Sequence, residues 1–188
     1  MGASESPLSR AVSVSPTILP GKSYLSLILE VPDDVQDAVM NWRRQHGAAE
    51  GYPPHITVFI SELGEKPYVE ANRFLREMRS ELRGRGPAEI ALSGTGTFRP
   101  ISDVVYLALA RGSDFLNHLH EQCRRIRNSA SPFMFHPHMT IVQNERRQLL
   151  EAAFRAFDAF EAHFTVHRAC AFLSDEEGWT HLGNISFD

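Results

Sequence analysis

Two short motifs place a histidine and a threonine two positions apart, and in each motif a proline directly precedes the histidine. The candidate side chains are His55 and Thr57 in the first motif and His138 and Thr140 in the second. Imidazole titrates near pH 6.5, so each histidine can accept or donate a proton at neutral pH. A threonine hydroxyl can donate a hydrogen bond to an oxygen that gains negative charge. Two such pairs suit displacement at phosphorus, in which one imidazole acts as base and the other as acid.

Both motifs begin runs of aliphatic and β-branched residues, which predict strands over 55–60 and 138–142. Alternate residues of a strand point to the same face, so the histidine and threonine of each motif share one face. If the two strands are related by a twofold axis, their polar faces meet across one cleft. The sequence therefore predicts one site built from both motifs.

The elements around the motifs occur twice along the chain. The first half predicts a strand over 24–29, a helix between Asp34 and Gly47, the first motif strand, a helix over 71–82 and a strand over 88–93. The second half predicts a strand over 104–110, a helix over 113–126, the second motif strand, a helix over 149–157 and strands over 164–173 and 180–187. Tyr24 aligns with Tyr106 at an offset of 82, and the motifs align at an offset of 83. This repetition predicts a duplicated α+β fold of two similar lobes.

The segments Pro54–Val58 and Pro137–Ile141 resemble the paired H-x-T-x signatures of the 2H phosphoesterases, the superfamily that includes 2'-5' RNA ligase-like proteins and RNA cyclic phosphodiesterases. The resemblance covers about residues 22–188. It implies a bilobal fold whose antiparallel sheets line a central cleft, with helices outside. It also implies catalytic roles for the histidine and threonine of each motif, without a metal or another cofactor.

The function that follows is a metal-independent phosphodiesterase acting on the 2',3'-cyclic phosphate ends of RNA or on small cyclic nucleotides. Sealing of RNA through a 2'-5' linkage is an alternative, since the same cleft could admit an RNA hydroxyl in place of water. A non-catalytic RNA-binding module that uses this cleft is another. The partner expected in each case is an RNA end or a nucleotide, and the protein is expected to be a monomer.

Aromatic residues near the ends of the motif and neighbouring strands could stack on a nucleobase. The candidates for substrate binding are Tyr52, Phe98 and Phe135, with Trp179 at a similar position. Packing in the core or at the rim is the alternative for each. A basic stripe at helical spacing could steer phosphates, although a solvated helix face would show the same pattern. It consists of Arg73, Arg76, Arg79 and Arg83.

A zinc site is an alternative interpretation of the second motif. His136 and His138 are alternate residues, and His55 could complete a set of three ligands. No cysteine or carboxylate lies at ligand spacing near either motif. The sequence therefore favours acid-base chemistry over metal binding.

The remaining histidines carry less information. His163 and Thr165 form a third H-x-T sequence, but no proline precedes it, and it is interpreted as a chance alternation in a strand. His118 and His120 point to different sides of a predicted helix, so both are expected at the surface.

The composition indicates a packed globular chain, with 188 residues, 43% hydrophobic and 22% charged. A net charge of −4 argues against a protein that coats nucleic acid through bulk electrostatics. Cys123 and Cys170 have no framework spacing, which suits a reducing compartment, and no membrane span or signal peptide is indicated. We expect a cytoplasmic protein with a flexible tail over 1–22 and a single bilobal domain over 23–188.

Overall fold

Eight strands and four helices alternate along residues 19–129 and 134–188, the part of the chain that the computed structural model describes. In chain order they are β1 (Tyr24–Glu30), α1 (Asp33–His46), β2 (His55–Glu62), α2 (Pro67–Leu82), β3 (Ala88–Thr97), β4 (Val104–Arg111), α3 (Ser113–Arg127), β5 (His138–Gln143), α4 (Arg147–Ala156), β6 (Glu161–Val166), β7 (Arg168–Asp175) and β8 (Gly178–Ser186). Residues 1–18 of the predicted tail and 130–133 of the loop before β5 lie outside the described residues.

The strands form one antiparallel sheet in the order β6-β3-β4-β5-β2-β1-β7-β8. We call the four strands β2, β1, β7 and β8 lobe 1, and the four strands β5, β4, β3 and β6 lobe 2. Between β2 and β5 the recorded register is a single pair, Ile56 opposite Met139. The predicted α+β fold of two lobes is confirmed, and the two predicted sheets are joined through that pair into one.

The two lobes have corresponding strands, counted from the junction to the outer edge. β5 corresponds to β2, β4 to β1, β3 to β7 and β6 to β8. The prediction of one strand over 164–173 is wrong, because this segment belongs to two strands that are separated at His167. β6 lies at the outer edge of lobe 2, and β7 lies inside lobe 1. Neither glycine nor proline marks this crossover in the sequence, so a continuous run of strand-forming residues conceals it.

The alignment of Tyr24 with Tyr106 is also wrong. Tyr106 lies opposite Thr140 in lobe 2, whereas the residue opposite Thr57 in lobe 1 is Ile28. The structural offset between β1 and β4 is therefore 78 rather than 82. Each motif strand contains a β-bulge at the equivalent position, so the bulges do not cause this difference. The cause is the connection around the helix, since Glu30 and its partner His55 are 25 positions apart, whereas Ala108 and its partner His138 are 30 apart.

Helices cover the convex face of the sheet and leave the concave face open. α2 and α3 pack on lobe 1, while α4 packs on lobe 2. α1 joins α4 there, because Trp42 contacts Phe157 edge to face at 6.1 Å. Val35, Val39 and Trp42 give α1 a buried stripe at helical spacing, and α1 ends at Gly47, whose φ of 65° is the left-handed conformation that glycine adopts most readily.

Residues 19–22 of the predicted tail contact the folded chain. The Gly21 amide donates to Glu176 Oε1 at 2.8 Å, and the Lys22 ammonium pairs with Glu62. Within residues 19–129 and 134–188, no helix is both long and apolar enough to cross a membrane.

Candidate active site

The two motifs meet at the junction of the lobes. β2 and β5 run antiparallel with Ile56 opposite Met139, and both of these side chains are fully buried toward the helices. The flanking residues therefore face the concave side. His55 lies across from Thr140, and Thr57 lies across from His138, so the two histidines are diagonal neighbours.

Diagonal neighbours on one face of an antiparallel pair have Cα atoms roughly 7–8 Å apart. That separation leaves room for one phosphate group between the two imidazoles. We call the concave surface that carries these four side chains the cleft. The structure thus brings together all four residues that the sequence predicted to be catalytic.

The backbone fixes the ring orientation of each histidine in the same way. Nδ1 of His55 donates to the carbonyl of Pro53 at 2.8 Å, and Nδ1 of His138 donates to the carbonyl of His136 at 2.7 Å. A carbonyl only accepts, so the neutral ring carries its proton on Nδ1 and keeps a lone pair on Nε2. Each Nε2 can therefore accept a proton as a base and donate it again as an acid.

Burial lowers the pKa of both imidazoles below the usual value near 6.5. For His55, the hydrogen bond to Pro53 opposes this shift, while the charges of Arg43 and His138 reinforce it. For His138, the hydrogen bond to His136 opposes the shift, and the His136 ring adds a small charge repulsion. At neutral pH both rings are therefore mainly in the neutral form.

Aromatic rings flank the histidine of lobe 1. Trp179 on β8 lies 5.8 Å from the His55 ring and 4.2 Å from the ring of Tyr52. Trp179 also contacts Phe172 at 5.5 Å. The Tyr52 hydroxyl and the Trp179 Nε1 are buried and have no hydrogen-bond partner among the described residues. Burial raises the pKa of Tyr52.

A second aromatic pair flanks the histidine of lobe 2. Phe98 lies 4.9 Å from the His138 ring, and Tyr106 lies 5.1 Å from it. The two rings contact each other at 4.6 Å, and His136 packs edge-on against both. The sequence missed Tyr106 as a site residue, since only the register of β4 against β5 places it opposite Thr140.

A cavity of about 1150 Å³ opens from the motifs along β2 toward α3. Its lining includes Thr57, His138, Ile60, Phe98, Phe135 and Arg124. Two of the predicted substrate-binding residues, Phe98 and Phe135, thus line this cavity, whereas Tyr52 lies beside Trp179 outside it. Phe135 stacks on His120 with ring centroids 4.1 Å apart.

The structure places the other sequence candidates away from the cleft. His163 and Thr165 are exposed on the edge strand β6, where the Thr165 hydroxyl donates to Glu89. Three members of the arginine stripe lie on α2, which packs on the convex face, and Arg83 directly follows this helix; all four are exposed. Within residues 19–129 and 134–188, no group of three or more histidine, cysteine, aspartate or glutamate side chains is arranged to hold a metal ion. The zinc alternative therefore lacks a convergent set of ligands.

Two residues near the motifs carry contacts that the sequence did not suggest. His118 is exposed as expected, but His120 is half-buried, and its Nδ1 donates to the carbonyl of Val58 at 2.8 Å. Arg43 is buried and contacts the backbone of β5. Neither residue stands out in the sequence, because each belongs to an ordinary amphipathic helix with several other polar residues.

Comparisons with known proteins agree with this fold. The sequence model of the 2'-5' RNA ligase superfamily matches residues 31–178. The structure of E. coli LigT complexed with NADP+ is similar, with a TM-score of 0.65 and 19% identity over 88% of this chain and 98% of that chain. TT0787 of Thermus thermophilus has a TM-score of 0.61 and 18% identity over 87% of this chain and 97% of that chain.

A more distant similarity extends to Usb1 of Kluyveromyces marxianus, with a TM-score of 0.52 and 14% identity over 88% of this chain and 97% of that chain. No curated protein matches the sequence significantly. The structural similarities establish the fold, and the sequence model covers most of the chain. The chain therefore belongs to the 2'-5' RNA ligase superfamily, the 2H phosphoesterases.

Proposed function

We propose that this protein is a metal-independent phosphodiesterase that opens 2',3'-cyclic phosphates at RNA ends or on small nucleotides. The observation that carries the proposal is the antiparallel meeting of the two motifs at Ile56 and Met139. It gives one concave face two imidazoles, each with Nδ1 bound to a carbonyl. An in-line displacement needs a base and an acid on opposite sides of the phosphorus, and two such rings can serve both roles.

The reaction balances with water as the only co-reactant. One neutral imidazole takes a proton from water through Nε2 as the water oxygen bonds to phosphorus. The bond from phosphorus to the ribose 2' or 3' oxygen breaks, and the other imidazole, in its protonated form, donates its Nε2 proton to that oxygen. The product is a phosphomonoester with a free neighbouring hydroxyl. Thr57 and Thr140 donate hydrogen bonds to the non-bridging oxygens, where charge accumulates in the transition state.

The cleft surroundings favour a nucleotide as the substrate. Phe98 and Phe135 line a cavity larger than a single phosphate needs, and aromatic rings can stack on bases. Among the similar structures, LigT is found complexed with 3'-AMP and with ATP. Cys123 and Cys170 are free and buried, which suits the reducing cytoplasm that we propose as the location of a monomeric enzyme.

The test is turnover of defined substrates by the purified protein. The panel holds an oligonucleotide with a 2',3'-cyclic end, cyclic mononucleotides, cyclic dinucleotides and ADP-ribose 1'',2''-cyclic phosphate. We expect ring opening, with one ¹⁸O atom incorporated from labelled water. The double variant His55→Ala/His138→Ala controls for contaminating hydrolases.

Other outcomes would separate the alternatives. Joining of a cyclic end to an added RNA 5'-hydroxyl, with no ¹⁸O uptake, would identify a ligase instead. Binding of cyclic-ended RNA that stays chemically unaltered from pH 5 to 9 would identify a binding module. Loss of turnover in EDTA with recovery on added zinc would contradict the metal-independent mechanism.

A further inference from the structure

The buried guanidinium of Arg43 touches the backbone on both sides of the cleft. The residue is only 6% exposed, although it carries a full positive charge. From α1 it donates through Nε to the carbonyl of Ile141 at 2.7 Å and through Nη2 to that of Thr140 at 3.2 Å. Through Nη1 it donates to the carbonyls of Glu50 at 2.6 Å and Tyr52 at 2.9 Å. Four backbone carbonyls therefore surround this one side chain.

The contact with β5 falls at an irregular point of the sheet. Tyr106 pairs with Thr140 and Val105 with Val142, so Ile141 is the extra residue of a β-bulge. Bulges interrupt ladder pairing and redirect the side chains beside them. Arg43 holds the carbonyl of the bulged residue and that of the preceding Thr140. It thus fixes the backbone that carries the threonine of the second motif.

The contact with the loop before β2 acts on the first motif. Arg43 holds the Tyr52 carbonyl, and the next carbonyl along the chain, that of Pro53, accepts from Nδ1 of His55. The guanidinium is therefore one peptide unit from the group that orients the His55 ring. Because β2 and β5 share a single ladder pair in the described residues, Arg43 is a second connection between the two motif strands.

The charge of Arg43 is not neutralised by a hydrogen-bonded carboxylate in the described part of the chain. Its polar contacts are the four carbonyls and the sulfur of Met40. Burial lowers its pKa to about 10, and attraction to the exposed Glu50 opposes this shift. The side chain therefore stays protonated at neutral pH. A buried cation is costly unless its donors are satisfied, and here carbonyls satisfy them.

We propose that Arg43 is a positioning residue that sets the relative placement of the two motif strands and keeps a buried positive charge that acts on His55. The proposal rests on the proposed function. Lysine could not replace it fully, because a single ammonium cannot span four carbonyls as a planar guanidinium does. The groups around His55 are Arg43 from α1, His138 from β5, Trp179 from β8, and Glu30 from β1, which pairs with Arg168. Tyr52 from the preceding loop packs on Trp179.

The test compares Arg43→Lys and Arg43→Gln with the matched control Arg44→Gln. Arg44 is the next residue on α1, is exposed and donates only to Asn41 among its recorded contacts. Each variant is assayed for kcat and KM on a cyclic-ended oligonucleotide. The His55 pKa is measured by NMR titration of the ring protons, assigned by comparison with His55→Ala. Thermal melting shows which variants are folded at the assay temperature.

For Arg43→Gln we expect kcat to fall by about 10²-fold with little change in KM, because the positioning acts on the reacting groups rather than on binding. We also expect the His55 pKa to rise, since the repelling charge is gone. For Arg43→Lys we expect kcat to fall by about tenfold while the His55 pKa stays low, because the charge remains. Arg44→Gln should match the wild type in every measurement.

A folded Arg43→Gln protein with wild-type kcat and an unchanged His55 pKa overturns the proposal. If Arg43→Gln does not fold, full kcat in a folded Arg43→Lys protein overturns it equally. If the wild-type protein turns over no panel substrate, the proposed function fails. The His55 titration in the wild type and Arg43→Gln then still decides whether Arg43 acts on His55.

Discussion

His55 in lobe 1 and His138 in lobe 2 are held by the same backbone hydrogen bond, but their neighbours differ. On the strand beside His55, Glu30 lies across from it and pairs with Arg168 at 3.3 Å. At the matching position beside His138, β4 carries Ala108. An ion pair in one lobe thus corresponds to a methyl group in the other.

The charged groups that act on the two imidazoles also differ between the lobes. Burial lowers the pKa of both, but the charge acting on His55 comes first from the buried Arg43, whereas that on His138 comes from the exposed His136. The two imidazoles thus share their burial and their backbone hydrogen bond, and they differ in the charged residues around them. For the proposed phosphodiesterase we expect the residues around the imidazoles to set the direction in which a substrate binds.

The strongest test of the proposed acid-base pair is removal of each imidazole in turn. His55→Ala and His138→Ala should each lower kcat on a cyclic phosphate by about 10²-fold or more, because each removes one partner of the proton transfer. Steady-state assays of both variants and of His163→Ala check this. His163 has the same H-x-T context but is exposed on β6, so its variant should keep full activity. Equal activity in all three variants would contradict a two-histidine mechanism.

The pH profile tests the lowered pKa values. The base must be neutral and the acid protonated, so kcat/KM should be bell-shaped. Both pKa values are shifted down from the usual value near 6.5. The alkaline limb, which reports loss of the acid's proton, should therefore lie below pH 6.5, and kcat/KM should fall about tenfold per pH unit above it. A maximum at pH 7.5 or higher in buffers of constant ionic strength would show that the cleft does not lower these pKa values.

The two threonines test whether the hydroxyls act equally. Thr57→Val and Thr140→Val should each lower kcat by about tenfold, since one hydrogen bond to the transition state is lost while shape is kept. Thr57→Ser and Thr140→Ser should retain most of the activity. Thr165→Val is the matched control on β6. Unequal losses at the two positions would reveal which lobe holds the more charged oxygen.

Substitution of the aromatic residues beside the two histidines should give the smallest effect on activity and the clearest difference between the lobes. Phe98→Leu should raise KM for a cyclic-ended oligonucleotide by about fivefold, because leucine keeps apolar contact but offers no ring face for stacking. Trp179→Leu should change KM less, because Trp179 lies on the His55 side outside the large cavity. KM values for both variants and for exposed Tyr68→Leu as control decide this. A larger KM effect for Trp179→Leu than for Phe98→Leu would show that the nucleobase of the substrate binds on lobe 1.

The motifs and most elements could be predicted because their signals are local. Proline before histidine, followed by β-branched residues, fixes the start of each motif strand, and alternation fixes which side chains share a face. The repetition of the two halves predicts that both motifs build one site, and the family resemblance implies the same. Phe98 is open to the same reasoning because it directly follows β3, where the strand meets the cleft.

The features that the sequence does not predict depend on strand register and on contacts between segments that are distant in sequence. The connection from the first strand of each lobe to its motif strand is longer in the second half, so Ile28, not Tyr24, lies at the position equivalent to Tyr106. Arg43 could not be told from Arg44 in sequence, yet one is buried under the motifs and the other is in solvent. His120 was expected at the surface for the same reason, since its partner is the carbonyl of Val58, 62 positions earlier. Backbone acceptors leave no trace in residue type.

The crossover between β6 and β7 has a consequence for how the chain acquires its structure. Because β7 lies in lobe 1, Leu25 near the start of the fold pairs with Leu173, 148 positions later. Contacts this distant in sequence slow folding, since a long loop must close before they form. β1 can pair with β2 early in synthesis, but it gains its second neighbouring strand only after residues 168–175 have been made. The repeated halves of the sequence are therefore not separate structural units, because β3 of the first half lies in lobe 2 and β7 and β8 of the second half lie in lobe 1.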